Sequence, residues 1–324
     1  MPYGQNAGIA IAFQNSFGTV AAVGSLFQLP VLTEDVGLAQ DELISQNLNG
    51  RFDEGDAYSG HREYGGPFEA EAQPLALGAL ISSVVNDPTS VTSGSLGTHT
   101  WNPRTGDWDG SAPNRPVSYY KYLVDGGSAQ FFYDLVGSRL EILQSEGGFL
   151  TVRTNYMGGK TSAVASQALT LDSTPRWPWN TASLSLGGAG VNDFRNITIT
   201  HDESLESRFT LDGTLTANRI KRNQARTIRV AGTLIFESQT ELNLFKAETS
   251  QALILTFKSD KTEIQSGYNN QLTIDIPSFK WLEWKPSVQG PGEIEVNFRG
   301  KADYHAGSLS SIQYTLINTH AAYM

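Results

Sequence analysis

Cysteine is absent from the 324-residue sequence. Its absence excludes disulfide bonds, thiolate metal sites and a cysteine nucleophile. Charged residues are also scarce, at 17% of the chain, against roughly 25% in average soluble proteins. The 23 Lys and Arg residues are outnumbered by 33 Asp and Glu residues, which gives a net charge of −10. Because attraction to phosphate depends on basic side chains, this balance argues against general affinity for nucleic acid.

Long apolar runs are also missing. No stretch approaches the ~18 consecutive apolar residues that a membrane-spanning helix needs. The apolar opening AGIAIAF has no Lys or Arg before Arg51, whereas a secretory signal carries a basic flank before its apolar run. We therefore expect a soluble chain with a mature N-terminus, made in a cytoplasm and without membrane association.

Motifs of catalysis and metal binding are not found. The sequence has no G-x-S-x-G, G-x-G-x-x-G or H-E-x-x-H pattern, and no two of its five His residues have metal-ligand spacing. GGKT at 158–161 resembles the end of a phosphate loop, but the Gly required five residues before Gly159 is Thr154. We expect no enzymatic activity, no cofactor and no metal site.

Alternation of apolar and polar residues dominates what is present. In PFEAEAQP (67–74), Phe68, Ala70 and Ala72 point one way, and Glu69 and Glu71 point the other. This period of two predicts strands with one buried face. The same pattern occurs at 29–36, 139–145, 149–156, 196–202, 233–239, 271–277 and 292–300. Helical periodicity occurs at 75–85 and at 240–248, where Thr240 is the expected N-cap.

The two predicted helices occur in the same context. Each follows a strand that begins after a Gly and contains a Glu: GPFEAEAQP leads into LALGALIS, and GTLIFESQ leads into TELNLFKA. We infer an internal duplication, with copies at about 20–160 and 185–305 and a linker at about 161–185. The alternative is that two β-rich halves share this order by chance. The expected fold is all-β with minor α: tandem β-sandwich domains at 1–165 and 166–324, each with one flanking helix, and an insertion at 86–116 in the first.

Tryptophan pairs leave a second function open. Trp177 and Trp179, and Trp281 and Trp284, lie close together in the sequence. Exposed Trp residues could form a sugar platform, so a carbohydrate-binding virion or surface module is an alternative. The other interpretation is that these residues pack against the β-sandwich.

Several segments together resemble a known family. They are YGQNAGIAIAFQNSFGT, LPVLTEDVGLAQDELIS, GGPFEAEAQPLALGALISSVV and the strand pair GSRLEILQSEGGFLTV with its Gly-Gly turn. This order is similar to that of the tail tube proteins of long-tailed, siphovirus-type bacteriophages. The resemblance covers residues 3–160 and, through the repeat, residues 190–305 more loosely.

The resemblance implies a structural virion protein, synthesised and assembled in the host cytoplasm. Family members are β-sandwiches that form six-fold rings, whose inner strands join into one barrel. The rings stack into a tube through which DNA passes during ejection without specific binding. A tape measure protein and tail terminator and distal tail proteins are the implied partners. If each chain supplies two sandwiches, three chains fill one ring with pseudo-six-fold symmetry.

Acidic residues on the predicted strands are candidates for the wall of such a channel. A negative wall would repel the DNA backbone, whereas a positive wall would bind it and slow its passage. The alternative is that these carboxylates face solvent on the outer wall. The candidates for the channel wall are Glu34, Glu69, Glu71, Asp202 and Glu237.

Two loops of opposite charge occupy equivalent places, just before the strand that leads into each helix. We expect them to fix the stacking of rings through opposite charges, which give specificity more than affinity. The alternative is two solvated hairpin tips. The acidic loop, 51–66, contains Asp53, Glu54, Asp56 and Glu63, and the basic loop, 218–229, contains Arg219, Lys221, Arg222, Arg226 and Arg229.

Overall fold

A computed structural model describes residues 8–21, 26–45, 57–122, 129–163, 172–236, 239–288 and 292–323. In the first half it contains β1 (Gly8–Phe13), β2 (Phe27–Leu29), β3 (Thr33–Glu34), β4 (Gly37–Ile44), β5 (Ala57–Glu71), α1 (Pro74–Val84), β6 (Thr89–Ser93), β7 (Leu96–Trp101), β8 (Val117–Tyr122), β9 (Ala129–Ser145) and β10 (Thr151–Thr161). In the second half it contains β11 (Ala182–Leu186), β12 (Ala189–Val191), β13 (Phe194–Asp202), β14 (Leu205–Arg208), β15 (Arg219–Arg222), β16 (Thr227–Ile235), α2 (Thr240–Lys246), β17 (Gln251–Gln265), β18 (Tyr268–Ser287), β19 (Glu295–Ala302) and β20 (Gln313–Asn318).

The all-β fold with minor α is confirmed. Both predicted helices are present, and each of the stretches with period-two alternation contributes to a strand. The predicted N-cap is wrong: Thr240 is the first residue of α2, and Gln239 stands at the N-cap position. In β5, Phe68 and Ala70 are buried, while Glu69 and Glu71 lie on the other face. Helix α1 begins with a proline, which suits a first turn whose N–H groups have no helical partner.

Eight strands form one continuous antiparallel sheet, here called the central sheet. Its order is β3, β5, β10, β9, β13, β16, β19, β18. The first four strands come from the first half and the last four from the second. A single row of cross-strand partners runs through all eight strands, from Thr33 and Glu69 on β3 and β5 to Lys280 on β18.

The two halves have the same pattern of strand pairing. In the first half β1 pairs with β2 and β8, and β8 continues to β9. In the second half β11 pairs with β12 and β17, and β17 continues to β18. Within the central sheet, the order β9, β10, β5, β3 in the first half matches β18, β19, β16, β13 in the second.

Two glycines also hold equivalent places. Gly66 stands eight residues before Pro74, the first residue of α1, and Gly232 stands eight residues before Thr240, the first residue of α2. A Cβ atom on Gly66 would lie 2.0 Å from the carbonyl oxygen of Asp35, and one on Gly232 would lie 2.3 Å from that of Asn196. Both glycines therefore allow the backbone of the adjacent strand to approach closely.

The insertion at 86–116 links the halves a second time. Its hairpin, β6 and β7, pairs through β7 with the C-terminal strand β20, and β20 pairs with β18. After β20 the chain packs against α1. Gly78 of α1 touches the ring of Tyr323, where a Cβ atom would lie 2.1 Å from a ring carbon.

Three of the four clustered tryptophans are buried in the core. Trp177, Trp281 and Trp284 are each less than a tenth exposed, and only Trp179 is half exposed. Trp281 packs edge-on against Trp284 and against Phe298. These three side chains belong to the hydrophobic core, so they do not form an exposed sugar platform.

Candidate channel face and assembly edges

Strand alternation places several cross-strand rows of charged residues on the face of the central sheet that points away from the core. Along the row through Glu69, its partners are Arg153 on β10, then Glu141 on β9. On the second-half strands the same row contains Arg229 and Lys301. The charged residues of this face include Glu69, Glu71, Glu141, Asp202, Glu283 and Glu295 together with Arg139, Arg153, Arg229, Lys280, Lys285, Arg299 and Lys301.

Three of the carboxylates of this face, those of Glu69, Glu71 and Glu141, are paired with arginines. Arg153 Nε lies 2.9 Å from Glu69 Oε2, and this hydrogen bond raises the pKa of Arg153. Glu71 forms an ion pair with Arg176, and Glu141 with Arg139. The face is therefore of mixed charge. The sequence led us to expect an acidic wall because it did not show which arginines lie opposite the predicted glutamates.

The other candidates for the channel wall have different positions. Asp202 lies on this face, directly opposite Arg139. Glu34 does not: it lies opposite the buried Phe68, and its carboxylate binds Lys121 at 2.7 Å with a side chain only 8% exposed. Glu34 is thus part of the packing beneath the sheet. Glu237 lies outside the described residues.

Much of the basic loop surrounds a buried carboxylate, Glu203. Arg226 Nε donates to Glu203 Oε1 at 2.6 Å, and Arg222 Nε donates to Oε2 at 2.9 Å. His201 Nε2 donates to Oε1 at 2.9 Å, and its Nδ1 lies 3.2 Å from the Tyr314 hydroxyl. Glu203 and His201 have no solvent exposure.

The pKa values of this pair follow from burial and from the neighbouring charges. Burial alone would raise the pKa of Glu203, but the hydrogen bond from His201 and the charge of Arg226 outweigh it and lower that pKa to about 2. Burial lowers the pKa of His201, which the hydrogen bond to Glu203 only partly offsets. We therefore expect an ionised Glu203 beside a neutral His201 at neutral pH.

The same loop also binds the insertion. Lys221 Nζ lies 2.8 Å from Asp107, and Arg226 Nη2 donates to the carbonyl oxygen of Arg104 at 2.9 Å. Lys221, Arg222 and Arg226 are thus engaged within the chain. Arg229 lies in β16 on the face of the central sheet, and Arg219 is exposed at the start of β15. Of the predicted basic contacts between rings, Arg219 is the one whose position fits that role.

The described part of the acidic loop faces the second half of the same chain. Glu63 accepts a hydrogen bond from Ser207 Oγ at 2.6 Å. Nearby, Arg62 N donates to the carbonyl oxygen of Leu215 at 2.7 Å, and His61 stacks on Phe209 with ring centroids 4.1 Å apart. Asp53, Glu54 and Asp56 lie outside the described residues.

The central sheet has two outer edges. At one edge, β3 pairs with β5 on one side only, and β4, which follows β3 and lies outside the eight strands, extends this edge by pairing with the first part of β5. At the other edge, residues 280–286 of β18 pair with β19 only, because β17 ends its pairing at Phe279. Among the strands of the described ranges, none covers either edge. Unpaired edges are templates for pairing with another chain.

No group of three or more Asp, Glu or His residues that could hold a metal ion occurs in the ranges that the structure describes. No helix in those ranges is long and apolar enough to cross a membrane.

Comparison with known proteins identifies a family. A profile of the family described as phage tail tube protein matches residues 4–302. No curated protein matches the chain.

Proposed function

The chain belongs to the phage tail tube protein family and is therefore a structural component of the virion; from this premise we propose that three chains close into a ring. In this ring the central sheets of the three chains join edge to edge into one barrel. The rings stack into a tube, and DNA passes through the barrel during ejection.

The repeated strand pairing is the observation that carries this proposal. Each half contributes four strands to the central sheet in the same order, and the halves join where β9 pairs with β13. This supports an internal duplication. The β9–β13 pairing would then correspond to the contact between neighbouring chains of a ring, but between two units that belong to one chain. With two units in each chain, three chains supply the six units of a family ring.

The size of such a barrel suits a channel. Three chains with eight strands each give a barrel of twenty-four strands. With strands about 4.8 Å apart and tilted by about 40°, its backbone diameter is roughly 48 Å. Barrels of 16–18 strands already enclose an aqueous channel, so this one has room for duplex DNA.

In this arrangement the charged face of the central sheet lines the channel, with Glu69 and Glu71 on its wall. The ion pairs of Arg153 with Glu69 and of Arg176 with Glu71 leave little net positive charge there. An excess of unpaired basic groups would bind phosphates and slow the DNA. We propose that the wall permits passage because its arginines are neutralised locally, and not because it is strongly acidic.

Contacts between rings are proposed to involve Arg219 and the acidic loop with Asp53, Glu54 and Asp56. Further partners at the ends and in the lumen of the tube would be the tape measure, tail terminator and distal tail proteins. Assembly would take place in the host cytoplasm.

Electron microscopy of the purified protein over a concentration series tests this function. The proposal predicts rings at low concentration and tubes at high concentration. Single particles without rings at every concentration would contradict it.

A further inference from the structure

The junction between the two halves has a defined register. On β9 and β13, Ile142 lies opposite Ile199, and Arg139 lies opposite Asp202. The two isoleucines are 2% and 1% exposed. The junction thus combines a buried apolar pair with two residues of opposite charge that lie opposite each other three residues away, where Arg139 forms its ion pair with Glu141.

The two outer edges of the central sheet repeat this pattern in equivalent positions. Leu38 lies opposite Tyr64, two residues before Gly66, and Ile199 lies opposite Val230, two residues before Gly232. Leu38 on β4 is therefore the counterpart of Ile199. Counted along β4, Asp41 stands three residues later and takes the place of Asp202, although the pairing of β4 with β5 shifts register between Gln40 and Glu42.

The same reasoning identifies the counterparts on β18. Arg139 lies opposite Asn155, and Lys285 lies opposite Asn297. Asn155 and Asn297 are equivalent in turn, because they lie opposite Pro67 and Thr233, which directly follow Gly66 and Gly232. Lys285 is thus the counterpart of Arg139. By the same count Val288, the residue directly after the end of β18 at Ser287, takes the place of Ile142.

The apolar side chains at the two outer edges are exposed to solvent, whereas those at the internal junction are buried. Leu38 is 53% exposed and Val288 is 71% exposed, although their counterparts are almost fully buried. Each edge has a strand partner on one side only. One edge carries Asp41 and the other carries Lys285, so the charges of the junction are also repeated with the same signs.

We propose that the β4 edge of one chain pairs antiparallel with the β18 edge of the next chain, in the register that places Leu38 opposite Val288 and Asp41 opposite Lys285. This inference rests on the proposed ring and specifies its interface. The partner is a second copy of the chain, because the two edges complement each other in backbone, apolar side chain and charge as β9 and β13 do. Pairing of both edges in each chain covers the unpaired sides of β4 and of the outer part of β18.

Cysteine cross-linking tests the register, since the natural sequence contains no cysteine. The double variant Leu38→Cys/Val288→Cys is assembled, oxidised and run on a non-reducing gel. Directly opposed residues in an antiparallel pair have Cβ atoms about 4.5–5.5 Å apart, close to the separation in a disulfide. We expect covalent dimers and trimers of the chain, which disappear on reduction.

The matched control is Leu38→Cys/Val91→Cys. Val91 is 65% exposed on β6, away from both edges, so this variant should form rings without cross-linked chains. Equal cross-linking in both variants, or intact rings without cross-links in Leu38→Cys/Val288→Cys, would overturn the register while leaving the ring itself in place. Absence of rings from the unmodified protein would instead remove the proposed function and this inference with it.

Charge reversal at Asp41 and Lys285 tests the proposed register independently of cross-linking. Asp41→Lys alone and Lys285→Asp alone should each lower the fraction of protein in rings several-fold at low salt, because each places like charges opposite one another. The double variant Asp41→Lys/Lys285→Asp should restore it. A double variant as defective as the single variants would contradict the proposed pairing.

Discussion

Ile142 in the first half lies directly opposite Ile199 in the second half, and both side chains are buried. This contact joins the two halves of the chain. Leu38 and Val288 hold the corresponding places at the two outer edges, where the proposed ring is formed. Because the two isoleucines are buried and Leu38 and Val288 are exposed, we expect substitution of an isoleucine to change the stability of the chain and substitution of Leu38 or Val288 to change assembly.

We expect Ile199→Ala to destabilise the folded chain by roughly 2–5 kcal/mol, the range for truncation of a buried isoleucine. Urea unfolding of the unassembled protein measures this loss. The control is Leu38→Ala, which should change the stability of the single chain by less than about 1 kcal/mol because Leu38 is already half exposed. Equal losses in the two variants would contradict the difference between the internal junction and the outer edge.

Acid should destabilise the protein through Glu203 and His201. The folded-state pKa of Glu203 is about 2, below its ordinary value of 4.5, so its contribution is present above pH 4.5 and is lost as the pH falls towards 2. The pKa of His201 is also lowered by burial, so stability begins to fall as the pH drops below 6.5. Thermal unfolding across this pH range should show a falling midpoint.

Glu203→Gln tests the origin of this acid sensitivity. It should destabilise the chain at pH 7 by roughly 3–5 kcal/mol, because Arg222 and Arg226 lose their buried counter-charge. It should also reduce the slope of stability against pH between 4.5 and 2. A variant with an unchanged slope would show that other carboxylates cause the acid sensitivity.

The neutralised channel wall predicts a gain of DNA binding on charge reversal. Glu69→Lys/Glu71→Lys should still assemble, because exposed ion pairs contribute only about 0–1 kcal/mol each. Its tubes should retain short duplex DNA at low salt and release it as salt rises. A filter-binding assay on assembled tubes measures this retention.

The matched control for the wall is Asp260→Lys/Glu263→Lys, which makes the same charge change on β17, outside the central sheet. Equal DNA retention by both variants would indicate a general effect of net charge. No retention by the Glu69 and Glu71 variant would indicate that this face does not line the channel.

Tyr323 is expected to stabilise the packing of the C-terminal segment on α1. Its hydroxyl group donates to the carbonyl oxygen of Pro74 at 3.2 Å and accepts from Asn318 Nδ2 at 2.6 Å, and its ring stacks on Phe27. Tyr323→Phe should cost about 1 kcal/mol for the lost hydrogen bonds. Tyr323→Ala should cost roughly 3–5 kcal/mol, since the ring is also removed. Chemical denaturation compares the two, and equal losses would mean that the ring contributes little packing.

The sequence predicted the features that depend on local pattern. The alternation around Phe68 and Glu69 indicates a strand with one buried face, and the apolar run after Gln73 indicates a helix, because both signals lie within a few neighbouring residues. The sequence did not predict that β9 pairs with β13 or that β20 pairs with β7, since these partners are far apart in the chain and no local signal selects them.

The candidate residues show the same limit. The alternation in FLTVRTNY already placed Arg153 on the outward face, but only the register of β5 and β10 shows that it lies opposite Glu69. The sequence predicts Arg222 and Arg226 as contacts between rings, because it does not show that both side chains donate to Glu203 within the chain. For these arginines the role depends on the carboxylate that each one contacts, and the sequence alone does not identify that carboxylate.

The number of chains in a ring tests the central claim most directly. Symmetry averaging of ring images, together with the mass of an intact ring, counts the chains. The account predicts three chains, with pseudo-six-fold symmetry at low resolution and true three-fold symmetry when the halves are distinguished. Six chains in a ring would contradict the use of both halves in one barrel.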